Sequence, residues 1–265
     1  MWDAPLPDLV PYIRGRATVR QFDPAGDIPD ADLREIVDSG RKAPTSGTTQ
    51  AYSFVWVKDP DRRRRIHELC DGGTDQVVTA SHFLVVCIDT HRNERLLAHR
   101  NEPFALPRAM GLLEGAIDAA LAAQLMMVAA ESRGYGVCPI GNILNNVMGI
   151  TEVLELPEGA LPIFGLCIGV PADGAPRENC PRIPLDAILH EDTYETPNDE
   201  ILDACYDRMD PMYEDSVYGD PTTTWDRTLV RYWGPEGFMS RREAELAATL
   251  DRQGFGQMAS GGADR

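Results

Sequence analysis

Two arginines and a threonine near the start of the chain have the types and spacing of an anion-binding site. Arg16, Thr18 and Arg20 alternate along the segment 16–22. A guanidinium group donates paired hydrogen bonds to oxyanions and a hydroxyl adds a neutral donor, so the three could bracket one phosphate. The same residues could instead be solvated surface groups that precede a helix. Because the chain carries a net charge of −17, a phosphate here requires short, oriented donors rather than long-range attraction.

The composition excludes several classes of partner. The chain has 265 residues, 42 of them acidic, and Lys42 and Lys58 are its only lysines. An acidic surface argues against nucleic acid and against anionic membranes, which both require a basic face. The arginine run 62–65 is predicted to be a solvated helix face. Lysine depletion is expected equally from a high-salt cytoplasm and from a GC-rich genome, so it does not distinguish them.

The cysteines and the N-terminus predict a reduced, cytoplasmic protein without a bound metal. The six cysteines are scattered, with no C-x-x-C pair and no metal-ligand spacing. The first residues lack the basic start and apolar run of a signal peptide. The most apolar stretch, 111–130, is interrupted by Glu114 and Asp118, which favours a buried core or interface helix over a membrane span.

Hydrophobic periodicity predicts an α+β fold with a mixed sheet and a long central helix. Helices are expected at 6–14, from Asp30 onwards, and at 61–69, 108–133, 199–212 and 240–253, with buried strands at 53–57, 83–88 and 162–170. A polar loop at 215–224 separates the last two helices. We expect one domain over 1–258, whose helical C-terminal extension at 195–258 packs on a dimer, and a disordered tail at 259–265. Small residues along the long helix suit either a dimer interface or a central core.

Five segments, in order, resemble the nitroreductase family of FMN-dependent NAD(P)H oxidoreductases, in the nitroreductase and flavin reductase branch with an extended C-terminal region. They are Arg16-Ala17-Thr18-Val19-Arg20-Gln21-Phe22, Ala43-Pro44-Thr45-Ser46-Gly47-Thr48-Thr49-Gln50, Ala129-Ala130-Glu131-Ser132-Arg133-Gly134-Tyr135-Gly136 with Ile140-Gly141, Phe164-Gly165-Leu166-Cys167-Ile168-Gly169-Val170-Pro171, and Cys180-Pro181-Arg182-Ile183-Pro184 with His190-Glu191 and Tyr194. Each segment alone is a weak signal, but their order over most of the chain is a specific one.

The resemblance implies a homodimer with two FMN sites, each built from both subunits. It assigns to the phosphate and ribityl chain Arg16, Ala17 through its main chain, Thr18, Arg20 and Arg182. It assigns to the partner's flavin Thr45, Ser46, Thr48 and Gln50. It assigns to the isoalloxazine ring Pro139, Ile140, Gly141 and Asn142, and it counts Thr74 among the FMN-binding residues. Gly141 would allow the backbone to approach the ring closely. No side chain is assigned as nucleophile, general base or metal ligand, because flavin N5 carries the hydride.

Several positions depart from the family pattern. Ala17 stands in place of a second arginine, Thr48 in place of an asparagine, and Cys180 in place of a lysine that helps to hold the phosphate, which predicts weaker FMN retention. The segment 214–224 contains three acids and no base, where relatives that prefer NADPH have arginines. A 2′-phosphate would be repelled there, so we expect weak selectivity for NADPH, with NADH or another reductant serving at least as well.

The function implied by the resemblance is two-electron, ping-pong reduction of nitroaromatics, quinones or free flavins by NADH or NADPH. Such acceptors are small, planar and electron-poor, so one broad slot can serve them all. Two alternatives stay open at this stage. One is an FMN-binding or flavin-carrier protein without nicotinamide turnover, and the other is a specialised flavin enzyme of the same family, of the dehalogenase or flavin-fragmenting type.

Overall fold

The structure divides the described chain into two compact units. A computed structural model describes residues 8–105, 108–176, 179–214 and 224–256, with the backbone alone described at 108 and 214. The smaller unit comprises Met1–Thr18 and Arg177–Ser240, and the larger comprises Val19–Pro176 and Arg241–Arg265. The predicted disordered tail and nearly all of the polar loop at 215–224 lie outside the described residues.

The larger unit contains a four-stranded sheet and most of the helices. Its strands are β1 (Tyr52–Trp56), β2 (His82–Asp89), β3 (Gly136–Ile140) and β4 (Ala160–Gly169). Its helices are α2 (Asp30–Gly40), α3 (Pro60–Leu69), α4 (Gln76–Thr79), α5 (His91–His99), α6 (Arg108–Glu131) and α7 (Val147–Val153), together with most of α11 (Phe238–Arg252). Short 3-10 turns lie at Ser46–Thr48 and Gly141–Asn145.

The sheet has the strand order β1-β2-β4-β3, and each of these three pairings is antiparallel. The α+β class agrees with the prediction. The predicted mixed sheet does not, because the described strands pair only in the antiparallel sense. Every residue of β2 is buried, as its unbroken apolar run predicted. Leu84 and Val86 face one hydrophobic cluster, and Phe83 and Val85 face another, because alternate residues of a strand point to opposite faces.

Helix α6 has one buried and one exposed apolar face. Its buried face packs through Ala119, Ala122 and Met126 in the same cluster as Ile36 of α2. The exposed large residues are Met110, Leu113, Ile117, Leu121 and Leu125. By length and composition alone, Ala109–Glu131 is the one segment among the described residues that could cross a membrane. Its alanine-rich buried face instead marks it as a packed helix of the larger unit.

The smaller unit is helical where it is described. It contains α1 (Val10–Arg14), a 3-10 turn at Leu185–Ala187, α8 (Asp199–Met209), α9 (Pro211–Glu214) and α10 (Trp225–Trp233). Asn198 caps α8, because its Oδ1 accepts a hydrogen bond from the Ile201 amide at 3.0 Å. Asp210 Oδ1 accepts a hydrogen bond from the Trp225 amide at 2.9 Å, which ties the start of α10 to the end of α8.

Sequence periodicity located the long elements and missed the short ones. All three predicted strands and the helices at α2, α3, α6, α8 and α11 are confirmed to within a few residues, and α1 is confirmed from Val10 onwards. Strand β3 and the helices α4, α5, α7, α9 and α10 were not predicted as such. The prediction of a solvated face for the arginine run 62–65 is corrected at one position. Arg63 is half-buried, and its guanidinium donates to the carbonyls of Val57 and Ala80 at 3.0 and 2.9 Å.

Candidate cofactor-binding site

A pocket of the smaller unit is lined by four arginines. It has a volume of about 960 Å³ and brings together Arg16 and Arg182, which come from opposite ends of the sequence. Arg14 and Arg208 line the same pocket, with Ile13, Asn179, Cys180, Pro181, Ile183, Pro184 and Leu185. None of the described residues that line it is acidic. On a chain of net charge −17, this pocket is a local concentration of positive charge suited to an anion.

Hydrogen bonds to the backbone hold the two walls of this pocket. Asn179 Nδ2 donates to the carbonyl of Arg14 at 3.0 Å, which links the segment after β4 to the end of α1. Arg182 Nη1 donates to the carbonyls of Cys180 at 2.8 Å and Pro181 at 3.0 Å. The Arg182 side chain is thus folded back on its own loop and still has other N–H groups for a ligand, because a guanidinium carries five.

In the larger unit, the loop at 45–51 is held by a buried carboxylate that sequence reasoning did not assign to the site. Asp118 of α6 is 1% exposed. Its Oδ1 accepts from the Ser46 amide at 3.0 Å, and its Oδ2 accepts from the Ala51 amide at 3.3 Å. The signal in the sequence was an acid within an apolar stretch, which we interpreted, together with Glu114, as an interruption and not as an acceptor for backbone amides.

The same loop contains residues in left-handed backbone conformations. Gly47, Thr48 and Gln50 have φ angles of 52°, 58° and 53°. The conformation is unfavourable for threonine, because a β-branched side chain is crowded there. The Thr48 hydroxyl donates to the Gly47 carbonyl at 2.6 Å, and Gln50 Nε2 donates to the Thr48 carbonyl at 3.1 Å. Unfavourable backbone angles of this kind persist where surrounding contacts hold the residue in place, and they are frequent at ligand-binding sites.

Arg92 of α5 ties the end of this loop to the sheet. Its guanidinium donates to the carbonyls of Tyr52, at 2.9 Å, and of Gln50. It also donates to the Ser53 hydroxyl at 3.0 Å. A cleft of about 700 Å³ opens beside it, lined by Val37, Arg41, Thr48, Thr49, Gln50, Tyr52, Ser53, Phe54, Arg92, Asn93, Leu96, Leu97 and Phe104. Thr48 and Gln50 therefore border a largely apolar cleft.

A second strained segment of the larger unit lies near the end of β3. Asp71, Gly72 and Gly73 have φ angles of 62°, 68° and 65° in succession. Asn142 Nδ2 donates to the Cys70 carbonyl at 3.2 Å, so the Asn142 amide holds this segment. The Thr74 hydroxyl is buried and forms no hydrogen bond of normal geometry with the described residues, although the Cys70 thiol lies near it. That orphaned oxygen could accept or donate a bond to a polyhydroxy ligand.

The turn that follows β3 is open at its glycine. Pro139 is exposed and Ile140 is buried, as expected for alternate residues at a strand end. A methyl group built on Gly141 would have no atom within 4 Å. The backbone there faces free space that a flat ring could occupy.

The structure groups the predicted site residues by unit. Arg16 and Arg182 share the arginine pocket, and Ala17 and Thr18 follow Arg16 in the same unit. The remaining predicted residues belong to the larger unit: Arg20, Thr45, Ser46, Thr48, Gln50, Thr74, Pro139, Ile140, Gly141 and Asn142. Sequence reasoning missed Arg14, Arg208, Asp118 and Arg92. Among the described residues, no cluster of three or more histidine, cysteine, aspartate or glutamate side chains could hold a metal ion.

Burial keeps the core cysteines in the thiol form. It raises the pKa of Cys70 to about 12, and it raises the pKa of Cys87 and Cys167 still further. All six cysteines are free, and Cys180 in the arginine pocket is the only one that is not fully buried. The thiolate is the reactive form, so the buried cysteines behave as inert core residues.

Two family models match the chain across both units. The model of the nitroreductase family matches residues 13–170, and the model of the C-terminal domain of that family matches residues 180–258. The chain belongs to the nitroreductase family. Within it, the chain is 35% identical to the FMN reductase (NADPH) of Bacillus subtilis (strain 168), over 76% of this chain and 82% of the relative. It is 32% identical to the Cr(VI) reductase of Pseudomonas sp. (strain G-1), over 92% and 97%.

Solved structures of the nitroreductase family share the fold. The NfrA1 nitroreductase from B. subtilis superimposes with a TM-score of 0.83 at 31% identity, over 93% of this chain and 98% of that chain. The NADPH:FMN oxidoreductase from Vibrio harveyi, solved in complex with NAD⁺, superimposes with a TM-score of 0.80 at 27% identity, over 94% and 98%. The α+β fold predicted from the sequence is therefore confirmed as a nitroreductase fold.

Taken unit by unit, the residues present have the chemistry that FMN, the cofactor that the family implies, requires. A phosphate requires cationic donors, and the arginine pocket of the smaller unit supplies them, with no carboxylate among its described lining residues. A ribityl chain bonds to polar side chains, and in the larger unit the buried Thr74 hydroxyl forms no hydrogen bond of normal geometry with the described residues. A flat ring requires open backbone, and Gly141 provides it.

Proposed function

We propose that this protein is an FMN-dependent NAD(P)H oxidoreductase that reduces planar, electron-poor acceptors by two electrons in a ping-pong cycle. For a quinone the balanced reaction is NAD(P)H + H⁺ + quinone → NAD(P)⁺ + hydroquinone. When bound, FMN supplies the redox chemistry that no protein side chain provides. Nitroaromatics and free flavins are acceptors of the same shape. The residues of this chain bind and orient the reactants.

The observation that carries the proposal is the arginine pocket within a member of this family. Arg16 and Arg182 are two of the residues that the resemblance assigns to the phosphate, from segments far apart in the chain, and both line that pocket. Two unrelated surface arginines would have no reason to meet. We therefore assign the pocket to the FMN phosphate, with Thr18, the Ala17 main chain and Arg20 continuing the site along the same segment.

The remaining assignments concern the flavin ring. We propose that Pro139, Ile140 and Gly141 pass beside the isoalloxazine through their main chain. The Asn142 side chain holds the segment at Cys70 by a hydrogen bond of 3.2 Å, so its contribution to the ring is also through the main chain. Thr45, Ser46, Thr48 and Gln50 approach the ring from the partner subunit. Asp118 sets the shape of their loop through the amides of Ser46 and Ala51.

A homodimer in the cytoplasm is part of this proposal. The exposed apolar face of α6 supports it, because five large side chains lie on one side of a helix whose other side is core. A second copy of the chain would remove that face from water. It would also bring the loop at 45–51 of one subunit to the flavin of the other.

The proposal is tested by anaerobic titration of the purified protein with NADH and then NADPH, followed through the visible absorption of bound flavin. We expect bleaching by NADH, at a rate at least equal to that with NADPH, because the acidic segment 214–224 contains no base for a 2′-phosphate. Two of the four proteins named above, the FMN reductase (NADPH) and the NADPH:FMN oxidoreductase, carry NADPH in their names. Faster bleaching by NADPH would overturn the donor preference alone.

Reoxidation separates the proposed enzyme from a flavin carrier. We expect the bleached flavin to recover its absorption when a quinone or a nitroarene is added without oxygen. A flavin that stays oxidised with both nicotinamides would favour a carrier or a different donor. Purified protein that contains no flavin and does not bind added FMN would overturn the proposal.

A further inference from the structure

Two arginines of the phosphate pocket lie outside the five segments that resemble the family. Arg14 and Arg208 line the pocket together with Arg16 and Arg182. Within the part of the chain that the structure describes, Arg14, Arg182 and Arg208 form no ion pair, although 42 residues of the chain are acidic. Seven other arginines do pair with carboxylates: Arg41, Arg62, Arg64, Arg65, Arg92, Arg133 and Arg252.

We propose that Arg208 of the C-terminal extension binds the FMN phosphate and supplies the positive charge that is missing at Cys180. The inference rests on the proposed function, because it takes FMN as the ligand of the pocket. It reverses one expectation from the sequence: the loss of a lysine at position 180 does not weaken FMN retention, since a cation reaches the same pocket from a different element.

The helix that carries Arg208 is fixed relative to the rest of the pocket. Arg208 lies in the last turn of α8, and α8 contacts the 3-10 turn at Leu185–Ala187 that continues the Arg182 loop. Cys205 and Met209 on either side of it are buried. The backbone at Arg208 is therefore held in place, and a ligand need order only its side chain. A cation in the last turn of a helix is also favoured by the helix dipole.

Electrostatics point to a doubly charged ligand. Guanidinium groups that share one pocket repel one another unless an anion lies between them. A phosphate monoester carries a charge of about −1.5 to −2 at pH 7 and offers three acceptor oxygens. Such a group can accept bonds from several arginines at once, whereas a carboxylate of the chain would neutralise one of them and close the pocket.

The test compares FMN with riboflavin, which lacks the phosphate, on the apoprotein. Flavin fluorescence gives the dissociation constant of each ligand for the wild-type protein, for Arg208→Gln and for Arg227→Gln. Arg227 is an exposed arginine of α10 in the same unit that does not line the pocket, so its replacement removes the same charge. We expect Arg208→Gln to weaken FMN binding about tenfold or more and to leave riboflavin binding within twofold. Arg227→Gln should change neither.

A rescue variant distinguishes a charge in the pocket from a structural role of α8. Cys180→Lys in the Arg208→Gln background should restore most of the lost FMN affinity, because Cys180 lines the same pocket. If Arg208→Gln binds FMN as tightly as the wild type, the inference is overturned and the proposed function stands. The same holds if the only effect of Arg208→Gln is a higher Michaelis constant for NADPH. Equal losses for FMN and riboflavin also overturn it. A wild-type protein that binds riboflavin as well as FMN overturns the phosphate pocket and the inference together.

Discussion

At the scale of single residues, Asp118 connects the fold to the site. A carboxylate that is 1% exposed is costly to bury unless its oxygens are bonded, and here both oxygens accept main-chain N–H groups of the loop at 45–51. Bonds of this kind satisfy the carboxylate and fix a loop whose own dihedral angles are unfavourable. Asp118 is thus a positioning residue for Ser46 and its neighbours.

Asp118→Asn should destabilise the protein and loosen this loop. An amide keeps one acceptor and turns its NH₂ group towards a main-chain N–H, so one buried donor loses its partner. We expect the free energy of unfolding of the apoprotein in urea to fall by about 1–3 kcal/mol. Glu114→Gln, the same isosteric change at a partly exposed position of α6, is the control and should cost less than about 0.5 kcal/mol. Equal effects of the two variants would contradict the role of Asp118.

Two glycines allow binding and packing to be separated. A methyl group at Gly115 would lie 2.5 Å from Ile88 Cγ2, whereas one at Gly141 would meet no atom within 4 Å. Gly115→Ala should therefore lower the stability of the apoprotein by about 1–3 kcal/mol, because α6 would have to move away from β2.

Gly141→Ala should leave stability unchanged and weaken FMN binding. We expect its unfolding free energy to stay within about 0.5 kcal/mol of the wild type, while FMN binds at least several-fold more weakly, because the methyl group occupies the space assigned to the flavin. Urea unfolding and flavin fluorescence give the two quantities. A Gly141→Ala protein with wild-type FMN affinity would remove Gly141 from the site.

At the scale of elements, what the sequence revealed depended on length and burial. Helix α6 and strands β2 and β4 were predicted because long runs of apolar residues leave few alternatives. Strand β3 was not predicted, since its five residues include Pro139, which is exposed, and pairing with β4 is what makes it a strand. Helix α10 has nine residues and directly follows the polar loop at 215–224, and it was not predicted.

The site was predicted where short motifs carried it and missed where distant elements meet. Arg16 and Arg182 lie in motifs that can be recognised from neighbouring letters. Arg208 cannot, because its place in the pocket depends on the packing of α8 against the 3-10 turn at Leu185–Ala187. Asp118 was visible as an acid in an apolar helix, but the amides it binds lie about seventy residues earlier in the chain.

The core strands β2 and β4 also make stability depend on pH. The pKa of Cys87 and of Cys167 is raised by burial in the folded protein, and an unfolded cysteine has a pKa of about 8.5. A raised pKa contributes stability that is fully present below the unfolded value and is lost as the pH rises towards the folded value. The free energy of unfolding should therefore decline above about pH 9, by up to about 1.4 kcal/mol per pH unit for each such thiol.

Urea unfolding at pH 7.5, 9 and 10.5 measures this slope. Cys87→Ala should make it shallower, since one thiol that must stay neutral in the folded state has been removed. Val85→Ala, which removes side-chain volume from the same strand but no thiol, should leave the slope as it is in the wild type. If Cys87→Ala and the wild type lose stability in parallel up to pH 10.5, the alkaline loss arises elsewhere.

At the scale of the whole molecule, the exposed face of α6 and the loop at 45–51 lead to one expectation. Asp118 lies on α6 and fixes that loop, so the helix proposed to form the interface also positions the residues proposed to reach the partner's flavin. Assembly and cofactor binding should then be coupled: a chain that cannot dimerise lacks half of each flavin site.

Ile117→Glu tests this coupling, because Ile117 is 49% exposed at the middle of the apolar face. A buried, unpaired carboxylate at an interface opposes association, so we expect the variant to run near the 29.2 kDa of one chain and to bind FMN at least tenfold more weakly. Val78→Glu, at a 41% exposed apolar residue of α4, is the matched control and should keep both the dimer mass and the affinity. Light scattering coupled to gel filtration gives the mass, and flavin fluorescence gives the affinity. A wild-type protein that elutes as a single chain with a full complement of FMN would show that each subunit holds its flavin alone, and the assignment of Thr45, Ser46, Thr48 and Gln50 to the partner's site would then be withdrawn.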